Sequence, residues 1–99
     1  MRVLVDSSVW IEHFRYDSQT LRQLLEKDLV STHPLIVGEL ACGTPPDRKL
    51  TLMYLQRLSG VQIATWQETL DLIERVKLYG TGCGWVDIEL LASCLVTPV

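Results

Sequence analysis

Residues 1–10 read MRVLVDSSVW, and the fold turns on how Val3–Val5 and the Asp6 that follows them are taken. Val3–Val5 show no polar alternation, which predicts a short strand covered on both faces in a parallel sheet. An ionised carboxylate at the end of such a strand costs several kcal/mol if it is buried without partners, so the strand end must be open to solvent or the charge must be met. Ser7 or Ser8 is placed to cap a following helix, whose apolar surface is Val9, Trp10, Ile11 and Phe14. A strand therefore runs directly into a helix.

The same alternation continues along the chain. Ser18 is an N-cap for a helix to about Lys27 with a Leu21, Leu24, Leu25 stripe, and Leu29–Ser31 suits a second strand. His33-Pro34 opens a third helix carrying Leu35, Ile36, Val37, Glu39 and Leu40, which Gly43 ends. Thr44-Pro45 begins a fourth with Leu50, Met53, Tyr54 and Leu58 as its core stripe, closed by Gly60. Val61–Ala64 is the third strand. Thr65-Trp66-Gln67-Glu68 is a capping box for a helix to about Tyr79, ending at Gly80, with Leu70, Ile73 and Val76 inward. After Gly80-Thr81-Gly82-Cys83-Gly84, a last helix places Ile88, Leu91, Ala92 and Leu95 on one face, and Thr97-Pro98 stops it. Strands separated by helices require a parallel α/β sheet with crossover connections. Ligands of such sheets bind at the carboxyl ends of the strands, where Asp6 stands.

Composition bounds the chemistry. The 99 residues are 47% hydrophobic and 21% charged, which predicts one globular domain over residues 1–99. The formal net charge of −3 argues against gripping nucleic acid mainly through Lys and Arg. It leaves open a divalent cation, held by carboxylates, that draws a phosphodiester into an acidic site. No membrane span or signal peptide is recognisable, so a cytoplasmic protein is expected. Cys42, Cys83 and Cys94 lack CxxC spacing and read as buried thiols, and His13 and His33 read as structural. No GxGxxG after a strand, Walker sequence or GxSxG elbow occurs.

Most of the twelve acidic residues have ordinary duties. Asp17, Glu26, Asp28, Asp47, Asp71 and Glu74 fall at caps, helix ends or exposed faces; Glu68 serves its capping box and Glu12 faces solvent. Glu89 lies about 200° round its helix from Asp87 and does not share a site with it. Asp6, Glu39 and Asp87 are left. Asp87 also complements a helix dipole, and Glu39 also supplies a polar helix face. Together the three suggest a carboxylate cluster, whose mutual repulsion a hard cation such as Mg²⁺ or Mn²⁺ would relieve.

Three blocks, VLVDSSVWIEHFR, HPLIVGELACG and GTGCGWVDIELLAS, resemble the PIN domain, and within it the VapC-type ribonuclease toxins of prokaryotic toxin–antitoxin pairs. The resemblance runs along nearly the whole chain. It implies a three-layer α/β/α fold with a central parallel sheet and a Mg²⁺- or Mn²⁺-dependent endoribonuclease. It also implies a homodimer held inactive by a cognate antitoxin. Asp6, Glu39 and Asp87 match the family's first, second and third acids, and Ser7 the hydroxylic residue that supports the site. Asp6 and Asp87 would hold the metal, Glu39 would complete the site, and water activated there would attack the RNA phosphate. One departure stands out: the family pattern continues with a further strand carrying a fourth acid, whereas this sequence ends at Val99, so the last strand is expected to be missing and the Val3–Val5 edge to be open. Two functions of different class follow: an active ribonuclease, or a shortened, catalytically weak or inactive domain that binds an antitoxin or another copy of itself.

Overall fold

A computed structural model describes residues 2–97. It contains three parallel strands and six helices, in two compact units comprising residues 1–60 and 61–99. The first unit runs β1 (Val3–Leu4), α1 (Ser7–Tyr16), α2 (Gln19–Glu26), β2 (Val30–Thr32), α3 (Pro34–Ala41), α4 (Arg48–Arg57) and β3 (Ser59–Gly60); the second holds α5 (Trp66–Val76) and α6 (Trp85–Val96). The sheet order is β1-β2-β3, with Val3 opposite Val30, Leu4 opposite Ser31, and Thr32 opposite Gly60. Each pair of parallel neighbours is separated in sequence by two helices, the crossover that parallel pairing demands. The α/β class expected from the sequence is therefore present.

Local chemistry explains where most of the helices start. The Ser18 hydroxyl accepts from the Leu21 N–H at the head of α2, and the His33 Nδ1 accepts from the Leu35 N–H at 3.0 Å at the head of α3, with Pro34 in its first turn. His13 is structural too, since its Nδ1 accepts from the Ser18 N–H. The Thr65–Glu68 capping box is complete, with each side chain taking the other's backbone N–H.

Several expectations are corrected. Helix α4 begins at Arg48 instead of Thr44, because Pro46 drives Pro45 out of helical geometry. Its buried residue is Leu55, while Leu50 is 68% exposed and Met53 and Tyr54 also face outward. The helix closes at Leu58, so Gly60 is free to pair in β3. Val61–Ala64 is not a strand, because its backbone is drawn to α6: the Gln62 N–H donates to Thr97 Oγ1 and the Ala64 N–H to Ser93 Oγ. Helix α5 stops at Val76, where Lys77 takes the left-handed conformation (φ 58°) and donates its N–H to the Ile73 carbonyl. Val76 is exposed and Leu72 is the core residue, clustered with Ala64, Ile88 and Ala92. Leu91 and Leu95 of α6 also face outward. Val3 is 37% exposed, so β1 is not covered on both faces. The three cysteines are free and exposed rather than buried, Cys42 at the α3 C-cap, Cys83 in the glycine loop and Cys94 on the outer face of α6. Thr97 caps α6 as expected, and Pro98 lies outside the described residues.

Candidate active site

Asp6 stands at the carboxyl end of β1 in extended backbone (φ −68°, ψ 157°) and is itself the N-cap of α1, the role the sequence reading had given to Ser7 or Ser8. Its Oδ2 accepts from the Ser8 hydroxyl at 2.7 Å and from the Ser8 N–H at 3.3 Å. The hydroxyl bond, outweighing a small burial penalty and aided by the Ser8 and Ser7 backbone N–H groups, holds the carboxyl below the ordinary aspartate range. Asp6 is exposed and ionised. That answers the charge at the end of an apolar strand: it is met by a helix terminus and by water.

Ser7, the next residue, is buried and points the other way. Its Oγ donates to Glu39 Oε2 at 3.1 Å, linking the β1–α1 junction to α3. Helix α3 buries Ile36 and Leu40, one turn apart, and this leaves Glu39 on its exposed side. The structure thus brings together Asp6, Ser7 and Glu39 through one turn of backbone and one hydrogen bond. A cavity of about 350 Å³ adjoins Glu39, with Arg15, Ile11, Phe14 and Leu40 also among its walls. Ionised carboxylate oxygens open to solvent are the donor chemistry of a hard divalent cation, so Asp6 and Glu39 suit Mg²⁺ or Mn²⁺ in kind.

Asp87 lies in the second unit. It is the acid of the first turn of α6, exposed, on a helix whose N-cap Gly84 offers no side-chain bond. Trp85, two residues earlier, lies against Trp66 with ring centroids 4.3 Å apart. Among the described residues there is no group of three or more His, Cys, Asp or Glu side chains arranged to hold a metal ion. Glu89, set apart from Asp87 by its helical spacing, is buried and accepts from Thr69 Oγ1 at 2.7 Å, tying α6 to α5.

Comparison with known proteins now bears on this arrangement. Over 91 residues the chain is 43% identical to Ribonuclease VapC32 of Mycobacterium tuberculosis, in both strain CDC 1551 / Oshkosh and strain ATCC 25618 / H37Rv. The match covers 92% of this chain and 73% of each relative. The chain belongs to the VapC ribonuclease family. No protein-family model matches it, and no solved structure does. Membership in the VapC family gives the Ser7–Glu39 bond its context, since it joins two of the blocks on which the resemblance rests. Asp17 and Asp28, read from the sequence as surface, are paired with Arg22 and Arg2, and Asp71 accepts from Gln67.

Proposed function

We propose that this VapC-family chain is a metal-dependent endoribonuclease of the toxin–antitoxin type, hydrolysing RNA phosphodiester bonds with Asp6, Glu39 and Asp87 as its acids. The observation that supports the reading is the Ser7–Glu39 hydrogen bond, which links the residue after Asp6 to Glu39. By the family resemblance, Asp6 and Asp87 would hold a Mg²⁺ or Mn²⁺ ion and Glu39 would complete the set of acids. When bound, the ion supplies Lewis acidity and charge neutralisation for the phosphate. Ser7 fixes Glu39 by occupying Oε2, and Ser8 keeps Asp6 ionised and oriented. In the reaction the oxygen of water joins phosphorus, the bond to the leaving sugar oxygen breaks, and that oxygen takes up a proton.

The same proposal includes a single three-layer α/β/α domain of PIN type over residues 1–99, a cognate antitoxin as protein partner, a homodimer and a cytoplasmic location. The absence of any helix long and apolar enough to cross a membrane among the described residues is compatible with it. The test is RNA cleavage with added Mg²⁺ or Mn²⁺ by the wild-type chain, Asp6→Asn and Asp87→Asn. Cleavage by the wild type that EDTA stops, with a large loss in both variants, is expected. Equal background cleavage by all three proteins would sink the enzyme. Co-purification with the product of the adjacent upstream gene tests the antitoxin.

A further inference from the structure

The cavity beside Glu39 has a composition that the carboxylate chemistry does not use. Ile11, Phe14 and Leu40 give it apolar walls, and Pro45 adds another. That last wall is preformed, because the residue before a proline is confined to extended backbone and Pro46 follows. One cation lines it, Arg15 in the last turn of α1. Three other arginines of this unit are committed elsewhere, Arg2 to Asp28, Arg22 to Asp17, and Arg48 to the Gly43 and Ala41 carbonyls at the end of α3, and Arg57 does not line the cavity. Arg15 has no hydrogen-bond or ion-pair partner among the described residues and is exposed. Interaction with the C-terminal helix dipole accounts for its charge but not for its place on a cavity wall beside an acid.

We propose that this cavity is a subsite for one nucleotide of single-stranded RNA, whose base enters between the apolar walls and whose phosphate is taken by the Arg15 guanidinium. The inference rests on the ribonuclease reading for the identity of the polymer. The volume of about 350 Å³ is at the small end of ligand pockets and admits one nucleotide unit, not a duplex. A base has to leave its stack to enter a concave apolar site, which unpaired strands allow and helical RNA resists. Phe14 supplies an aromatic surface for it, and a planar guanidinium matches a phosphate in two-point fashion. The subsite thus selects unpaired RNA and fixes which phosphate lies next to Glu39.

The test uses the full chain and a fluorescein-labelled single-stranded oligoribonucleotide, with a duplex of the same sequence as control. Binding is read by anisotropy in the Asp6→Asn background, where cleavage is off. Arg15→Ala removes the cation. Gly43→Leu fills a wall position where an added Cβ meets only the Leu40 carbonyl oxygen at 3.7 Å, an ordinary contact. Each substitution is expected to weaken single-strand binding by about tenfold or more and to leave duplex binding unchanged, with partial recovery in Arg15→Lys. In chains with Asp6 intact, Arg15→Ala should raise KM more than it lowers kcat. Arg15 is a surface side chain, so that variant remains informative should Gly43→Leu fold poorly. Unchanged single-strand binding in folded Arg15→Ala overturns the subsite, as does an equal loss for the duplex. Intact RNA binding with loss of a co-purifying protein partner overturns it in favour of a protein groove. A wild-type chain that does not cleave RNA, yet binds it through Arg15, overturns the ribonuclease reading and leaves the subsite standing.

Discussion

Asp6 has two roles that substitution separates: it caps α1 through Ser8, and in the proposed reaction it is an acid. Removing the cap altogether, in Asp6→Ala, leaves the Ser8 N–H and hydroxyl without their acceptor. Loss of an N-cap side chain costs about 1 kcal/mol. For a domain of this size that lowers Tm by about 4–8 °C. Asp6→Asn keeps an amide oxygen where Oδ2 stood, and asparagine caps helices as well as aspartate does. Only the favourable interaction of the charge with the helix N-terminus is lost, about 0.3–1 kcal/mol and near the lower figure at an exposed site. Thermal unfolding should therefore rank wild type slightly above Asp6→Asn, and both clearly above Asp6→Ala. RNA cleavage should be lost equally in both variants. An Asp6→Asn protein that cleaves like wild type refutes the catalytic role, and an Asp6→Ala protein as stable as wild type refutes the capping role.

The Ser7–Glu39 bond can be isolated by a double-mutant cycle of Ser7→Ala and Glu39→Ala on unfolding free energy. Because Glu39 is exposed to water, a coupling of about 0.5–1 kcal/mol is expected, below the range for buried charged hydrogen bonds, and additive losses would refute the coupling. The folded-state pKa of Asp6 is depressed, so its stabilisation is complete above the unfolded value and is lost as pH falls through the folded one. The stability gap between wild type and Ser8→Ala should accordingly narrow below about pH 4 in acid titrations, and a gap that widens there would count against the Ser8 bond. Thr69→Val takes the donor from the buried Glu89 carboxylate and should cost about 1–3 kcal/mol in denaturant unfolding; a neutral substitution would mean that water reaches Glu89.

Where structure is decided by neighbours in the chain, the sequence is a good guide. Ser18, His33-Pro34 and Thr65–Glu68 start helices by hydrogen bonds within a single turn, and each does so as read. Choices settled at long range are not visible in this way. Helix α4 carries apolar residues both at Leu50, Met53 and Tyr54 and at Leu52, Leu55 and Leu58; helical periodicity finds two candidate faces and cannot say which one is buried. The Val61–Ala64 run has the look of a strand, but its N–H groups find hydroxyls on α6. At the candidate site, Asp6 and Glu39 stand out by local signals, a strand-end acid and a polar residue in an apolar helix, and Ser7 by the family resemblance alone; the Ser7–Glu39 hydrogen bond itself is a long-range feature. The capping role of Asp6 was hidden by two serines that are equally good caps. The burial of Glu89 depends on Thr69, twenty positions earlier, which no spacing rule links to it.

The placement of the three tryptophans gives the protein a built-in optical division. Trp10 is 2% exposed inside the first unit, whereas Trp66, 66% exposed, lies against Trp85 in the second. Emission from the shielded Trp10 indole and from the exposed Trp66 falls at different wavelengths, and the closely spaced Trp66 and Trp85 indoles couple in the ultraviolet circular dichroism. Melting of the strand-bearing portion and of the α5–α6 portion can therefore be followed as separate signals in one unlabelled sample, which reports directly whether the chain unfolds in one step or two.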